Sequence, residues 1–317
     1  FADDGVVPLD GEWEFYPNRL LFPEDFASAS GKESAPPPER LEVPGSWAKH
    51  MQTLGMGTYR LHIKVDDANP VYGLKTSSIQ ISNRIIVNGR VAGQSGIPAE
   101  RQSYAALNRP YVSFFTLEPG WNEIIVQAAN HEFPAGSGVN ESIYFGHSSQ
   151  ISALRDKALT HDWIIVTAFL IMGLYFIGLY SQRKNDVSLA VLGMLCVLIA
   201  VFTSTRGERV IFAVFGDMPF GLYLRIQMLS AIGGGMGFFL YVYTAFRSFC
   251  SRRLIQCGAA VGAALAVWTM FLIPGYATDL YRQLVTLYAT FPLLYAIYVF
   301  VQAAFRKVEG GLYLAVA

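Results

Sequence analysis

The sequence predicts an all-β jelly-roll or β-sandwich extracytoplasmic domain followed by an α-helical, multispan membrane domain. Three observations carry that prediction. Only 15% of the 317 residues are Asp, Glu, Lys or Arg, whereas soluble domains average about 25%. The charges are also unevenly placed, with 18 acids and 13 bases in residues 1–160 but 6 acids and 11 bases in the remainder. Finally, short strand-like stretches between turn residues fill the first half, and long apolar runs fill the second. Two unlike halves read as two domains, residues 3–152 and 163–317. The first is long enough to bury a core of its own.

In the first domain the strand-like stretches are Glu12–Tyr16, Gly57–Val65, Ser78–Ile81, Ile85–Asn88, Tyr111–Leu117 and Asn122–Ala129. Apolar and polar side chains alternate through Tyr59-Arg60-Leu61-His62-Ile63-Lys64-Val65, the period of a strand with one buried face. The same alternation sends Tyr59 and Arg60 to opposite faces of a sheet. Asn88-Gly89 offers two residues tolerant of positive φ and marks a two-residue hairpin; Pro119-Gly120 marks a further turn. Long helical periodicity is lacking, which favours packed antiparallel sheets. The stretch Ser28–Pro38, rich in small residues and proline, reads as a solvated loop.

Beyond residue 160 the apolar runs are 163–180, 187–205, 222–246, 257–273 and 284–305, with the start of a sixth from 311. About 20 residues span a hydrocarbon core of about 30 Å, so five complete spans are expected. Lys and Arg in the connections set the orientation. The first and third connections and the stretch after the fifth span hold Arg183, Lys184, Arg247, Arg252, Arg253, Arg306 and Lys307. The second and fourth hold Arg206, Arg209 and Arg282. The odd connections are therefore expected in the cytoplasm and the N-terminal domain outside it, periplasmic or extracellular, with the chain in the inner or plasma membrane.

A formal charge of zero argues against nucleic acid as a partner. The three cysteines, Cys196, Cys250 and Cys257, build neither a disulfide framework nor a zinc site. No metal and no cofactor is expected. Nor do the spans carry an acidic relay or the repeated broken helices of transporters.

Several segments occur in a fixed order: LDGEWEFYPNRLLFPEDF (9–26), VPGSW (43–47), GTYRLHI (57–63), IIVNGRVAG (85–93), ERQSYAALNRPYVSFF (100–115), GWNEIIVQAANHEFPAGSGVNESIYFG (120–146) and IMGLYFIGLYSQRKNDVSLAVLGMLCVLIAV (171–201). This ordered set resembles bacterial seven-transmembrane receptors with diverse intracellular signalling modules. The N-terminal part is more distantly similar to the jelly-roll sugar-binding domain of glycoside hydrolase family 2. The resemblance implies a sensor of an extracytoplasmic small molecule, a carbohydrate by class, and a chain truncated before its cytoplasmic output. That output would be a fused histidine kinase or cyclic-nucleotide enzyme, so no catalytic residues are expected in this chain. The lipid bilayer is the other partner, and a homodimer through the membrane or output domain is left open.

The resemblance nominates Trp47, Tyr59, Arg60, Arg101, Asn130, His131 and Glu141 as ligand contacts, with Asn88 beside them. A sugar site pairs an aromatic surface with fixed polar groups. Competing readings are the sandwich core for Trp47, the hairpin turn for Asn88 and a satisfied histidine for His131. Many relatives place an aromatic before the Glu of the last motif, whereas this chain has Asn140-Glu141-Ser142. The alternative functions are a membrane-tethered carbohydrate-active enzyme and a transporter. Glycoside hydrolysis needs two carboxylates across one cleft, and Glu12, Glu14, Glu24, Asp25, Asp66 and Asp67 mostly fall in turn-like contexts.

Overall fold

The computed structural model describes residues 5–26, 36–66, 71–271 and 278–306. It divides into two compact units. One holds Phe1–Thr160 with Gly207–Phe220 and Pro274–Asp279, and the other holds His161–Arg206, Gly221–Ile273 and Leu280–Ala317.

The first unit is a β-sandwich. Its strands are β1 (Val7–Pro8), β2 (Gly11–Pro17), β3 (Glu39–Val43), β4 (Gly55–Val65), β5 (Tyr72–Lys75), β6 (Ile79–Gln80), β7 (Ser82–Val87), β8 (Arg90–Ser95), β9 (Val112–Phe115), β10 (Gly120–Asn130), β11 (Gly138–Val139) and β12 (Tyr144–His147). One sheet has the order β3-β2-β4-β10-β7-β8, the other β1-β12-β5-β9, and β11 and β6 form a small third pair. The strands pair antiparallel throughout. A single turn of helix, α1 (Pro23–Phe26), follows β2.

Alternation decides which side chains meet between the sheets. Phe15, Tyr59, Ile85, Val87, Ile124 and Val126 from the larger sheet share one core with Tyr72, Leu74 and Phe145 from the smaller. Burying each such side chain contributes about 1.5–3 kcal/mol. The aromatic rings make specific contacts as well: Phe15 and Tyr59 lie 4.8 Å apart, and Tyr72 stacks on Phe145 at 5.3 Å. Asn88 (φ 45°) and Gly89 (φ 79°) form the hairpin turn between β7 and β8, with Val87 opposite Arg90.

Every strand-like stretch in the sequence overlaps a strand. Several strands carried no signal. In β5 all four residues are buried, so no polar face alternates with the apolar one. In β8 the sequence Arg-Val-Ala-Gly-Gln-Ser presents little apolar bulk. The loop read at Ser28–Pro38 falls mostly outside the described residues.

The helices are α2 (Ser148–Gln182), α3 (Val187–Ser204), α4 (Ile211–Phe215), α5 (Phe220–Ala245), α6 (Arg252–Phe271) and α7 (Asp279–Phe305). Among the described residues, α2, α3, α5, α6 and α7 are long and apolar enough to cross a membrane. Asp186 caps α3 by accepting from the Ser188 amide. Residues Ile151–Asp162, at the boundary between the two domains delimited from the sequence, are helical and belong to α2. Ile151 is fully buried and lies against Gly73, whose missing side chain leaves it room: a Cβ there would stand 3.2 Å from Ile151 and 3.1 Å from Phe114. A sixth span from 311 lies outside the described residues.

Within the helical unit α3 and α5 are tied by hydrogen bonds at the end of α3. The Tyr223 hydroxyl donates to the Thr205 carbonyl at 2.7 Å, and the Gln227 amide donates to the same carbonyl at 3.2 Å. Carbonyls at a helix C-terminus lack partners within the helix, and these two side chains supply them.

Candidate functional site

The nominated residues fall into three groups. Trp47 and Tyr59 are completely buried, with ring centroids 6.5 Å apart in the sandwich core. Trp47 donates from its indole to the carbonyls of Gln52 and Thr53. Burial pushes the Tyr59 phenol well above its ordinary range. A ligand has no access to either ring, so their work is packing rather than stacking on a sugar.

Arg60 occupies the opposite face, as alternation requires. Its Nε donates to Glu123 at 2.6 Å, its Nη1 lies 3.5 Å from Glu14, and its guanidinium sits 4.2 Å from the centroid of the Phe26 ring. Burial alone would lower its pKa, but the carboxylates of Glu123 and Glu14 and the Tyr16 hydroxyl outweigh that and hold it above the ordinary value. Two donors of Arg60 are thus engaged by carboxylates of its own sheet. Glu141 is exposed in the loop between β11 and β12, where Ser142 donates to Asp10 at 3.1 Å.

The third group gathers at one end of the sandwich, in the loops after β8 and β10. Asn130 ends β10 and is completely buried. Its amide donates to the carbonyls of Phe133 and Gly136, each at 2.7 Å, while its oxygen accepts from the Phe133 amide at 2.9 Å. One side chain therefore shapes the loop from 131 to 137. His131 then joins that loop to the one after β8, its Nε2 standing 3.0 Å from the Ala99 carbonyl. A carbonyl only accepts, so Nε2 carries the hydrogen. The His131 ring meets Tyr104 edge-on at 4.9 Å. Burial, and next the Glu132 carboxylate, push the Tyr104 phenol far above its ordinary value, so it stays protonated at physiological pH. Ile97 and Ala105 exchange backbone hydrogen bonds and close the base of a loop on which Arg101 stands exposed. Of the nominated residues, Arg101, Asn130 and His131 are brought together here. Asn130 and the Nε2 of His131 spend their donors on these loops, which leaves the exposed Arg101 and the Tyr104–His131 aromatic pair as this end's means of recognition.

Sequence reasoning missed what else this end holds. The segment Gly207–Phe220, which joins α3 to α5, packs on it within the same unit. Glu208 pairs with Lys75 at 2.6 Å, Arg209 donates to the backbone carbonyl of Asn108 and to its side-chain oxygen, and Asp217 pairs with Arg109 at 2.8 Å. Phe220 meets Phe133 edge-on at 5.7 Å. One signal was available: Ile211-Phe212-Ala213-Val214-Phe215 is an apolar run inside a connection, and its first two residues are buried while Val214 and Phe215 stay exposed. Among the described residues no cluster of three His, Cys, Asp or Glu side chains is placed to hold a metal ion.

Comparison with known proteins gives two findings for this chain, and no curated protein matches it. Solved structures similar to it include a β-glucuronidase from an uncultured Clostridium sp. (14% identity, 45% of this chain and 29% of that one, TM-score 0.34). A second is a GH2 β-galacturonidase from Eisenbergiella tayi bound to glycerol (13%, 44% and 24%, TM-score 0.32). A third is the β-glucuronidase of Ruminococcus gnavus in complex with uronic isofagomine (18%, 46% and 28%, TM-score 0.33). The chain spans less than a third of the length of each. The family model described as 7TM diverse intracellular signalling matches residues 159–317. That match takes in half of the sequence and the five apolar helices from the membrane-crossing part of α2 onward, and the chain belongs to this family.

Proposed function

We propose that this protein is a membrane receptor whose β-sandwich, outside the cytoplasm, binds a small polar molecule of the carbohydrate class. Occupancy is then passed through the helices to a cytoplasmic signalling module. The observation that carries the reading is α2. This helix begins directly after β12 and continues without a break for 35 residues, through a stretch apolar enough to cross a membrane. A change at the last strand therefore meets no slack linker on its way into the first span. A ligand shifts such a system only through different affinity for its two states.

Support for the ligand class comes from the resemblance of residues 9–146 to sugar-binding modules and from the polar, aromatic-edged loop end holding Arg101, Tyr104 and His131. Support for the orientation comes from the basic connections after α2 and α5. The packing of Gly207–Phe220 on the β-sandwich agrees, because it puts the connection after α3 on the side of that domain.

The test is calorimetric titration of the whole chain in lipid nanodiscs with hexoses, hexuronic acids, N-acetylhexosamines and muropeptides. At least one should bind. Arg101→Ala or His131→Ala should then weaken binding by about 5- to 150-fold, the loss of one buried polar contact. A panel with no binder removes the carbohydrate reading, and unchanged affinity in both variants moves the site elsewhere.

A further inference from the structure

We propose that Gly207–Phe220 is a latch through which the loop end of the β-sandwich controls both helices that the segment joins. The inference rests on the receptor reading for its purpose, but the docking can be tested with no ligand present. The segment is short and held near both of its ends. Near its start, Glu208 and Lys75 form an ion pair whose side chains are only 12% and 6% exposed. Charges so far from water persist only when paired, and removing one partner strands the other. Next to it, Arg209 adopts φ 55°, a left-handed conformation that a non-glycine residue keeps only when its surroundings enforce it. Its two hydrogen bonds to Asn108 do so. Val210, Ile211 and Phe212 are buried, whereas Val214 and Phe215 beyond them are exposed. At the far end Asp217 pairs with Arg109, and Phe220, the first residue of α5, packs on Phe133.

The receiving residues are not scattered over the domain. Asn108 and Arg109 belong to the loop after β8, where Ser95 fixes them by donating to the Leu107 carbonyl and accepting from the Arg109 amide. Phe133 belongs to the loop that Asn130 shapes, and His131 ties the two loops together. Any molecule that rearranges these loops must change the surface on which the segment sits. The segment in turn leads from the end of α3 into the start of α5, the two helices clasped at Thr205 by Tyr223 and Gln227. Docked and released segments are thus two states that these helix ends would feel differently.

The experiment is hydrogen–deuterium exchange on the whole chain in nanodiscs, without ligand, comparing the natural sequence with Lys75→Met, Glu208→Gln and the charge-swapped Lys75→Glu/Glu208→Lys. The single variants should speed exchange in 207–220 by roughly tenfold to a hundredfold. They should also speed it at 203–205 and 220–223, leaving Ile124–Val126 of β10 protected, and the swapped pair should recover part of the loss. Unchanged exchange in 207–220 refutes the docking. Faster exchange confined to 207–220, with quiet helix ends, refutes the latch. If a single variant opens β10, Asp217→Asn decides instead, because its pair with Arg109 is exposed at the surface and its loss leaves no buried charge. It must loosen 217–223 without touching β10, and failure to do so overturns the proposal. A negative sugar titration would leave these outcomes standing, and a failed latch would leave ligand binding standing.

Discussion

At the scale of single residues, the role of Trp47 depends on the face its side chain lands on. A tryptophan in a β-sandwich can face a ligand or fill the core, and nothing local to VPGSW separates the two. The fold separates them, because Trp47 follows β3 into the space between the sheets, beside Phe15 and Tyr59. Trp47→Ala should therefore cost about 3–5 kcal/mol of stability, read as a large drop in the unfolding temperature of the β-sandwich. Arg101→Ala, at an exposed loop, should stay within about 0.5 kcal/mol of the natural sequence. Asn130 makes a finer case. Its amide donates to the Phe133 and Gly136 carbonyls and lies 3.4 Å from that of Thr53, so Asn130→Asp places an acceptor where only a donor fits, and Asn130→Ala leaves these carbonyls without it. Each should cost about 1–3 kcal/mol and speed amide exchange from 131 to 137. If the aspartate variant is as stable as the natural protein, the carbonyl contacts do not hold the loop.

At the scale of elements, what the sequence made legible was the periodic part. Strand β4 was visible from the alternation of Tyr59 through Val65, and the hairpin at Asn88-Gly89 from its tolerance of positive φ. The spans followed from apolar length alone. Strand β5 stayed hidden because Tyr72, Gly73, Leu74 and Lys75 are all buried, Lys75 by virtue of its partner Glu208, so polarity gave no period. The start of α2 stayed hidden for the opposite reason: Arg155, Asp156 and Lys157 interrupt the apolar pattern that marks the span, although Ile151 is packed on β5. That contact makes a prediction. Gly73→Val drives a branched side chain into Ile151 and Phe114, and should raise exchange across 148–155 while α3 and α6 keep their protection. Gly73→Ala asks neighbours to yield by only a few tenths of an ångström and should do far less. Equal effects from the two would mean that α2 does not depend on this close approach.

At the scale of the whole molecule, the division into a polar half and an apolar half was plain from charge and hydropathy. The exception was Gly207–Phe220, which belongs by sequence to the helical half and by packing to the β-sandwich. Its partners Lys75, Asn108, Arg109 and Phe133 lie about 85 to 135 residues away along the chain, and contacts so distant leave no local pattern to read. The account as a whole stands on one proposed arrangement, with the β-sandwich and the connection docked on it outside the cytoplasm and the connections after α2 and α5 inside. A sensor facing the output side would have nothing to report across the membrane. The direct measurement uses single cysteines, in a background without Cys196, Cys250 and Cys257, at the exposed positions Arg101 and Lys184. Intact cells are treated with a membrane-impermeant maleimide. The account predicts labelling of Arg101→Cys in intact cells and of Lys184→Cys only after the membrane is opened. Labelling of Lys184→Cys in intact cells, with Arg101→Cys protected until lysis, would contradict it.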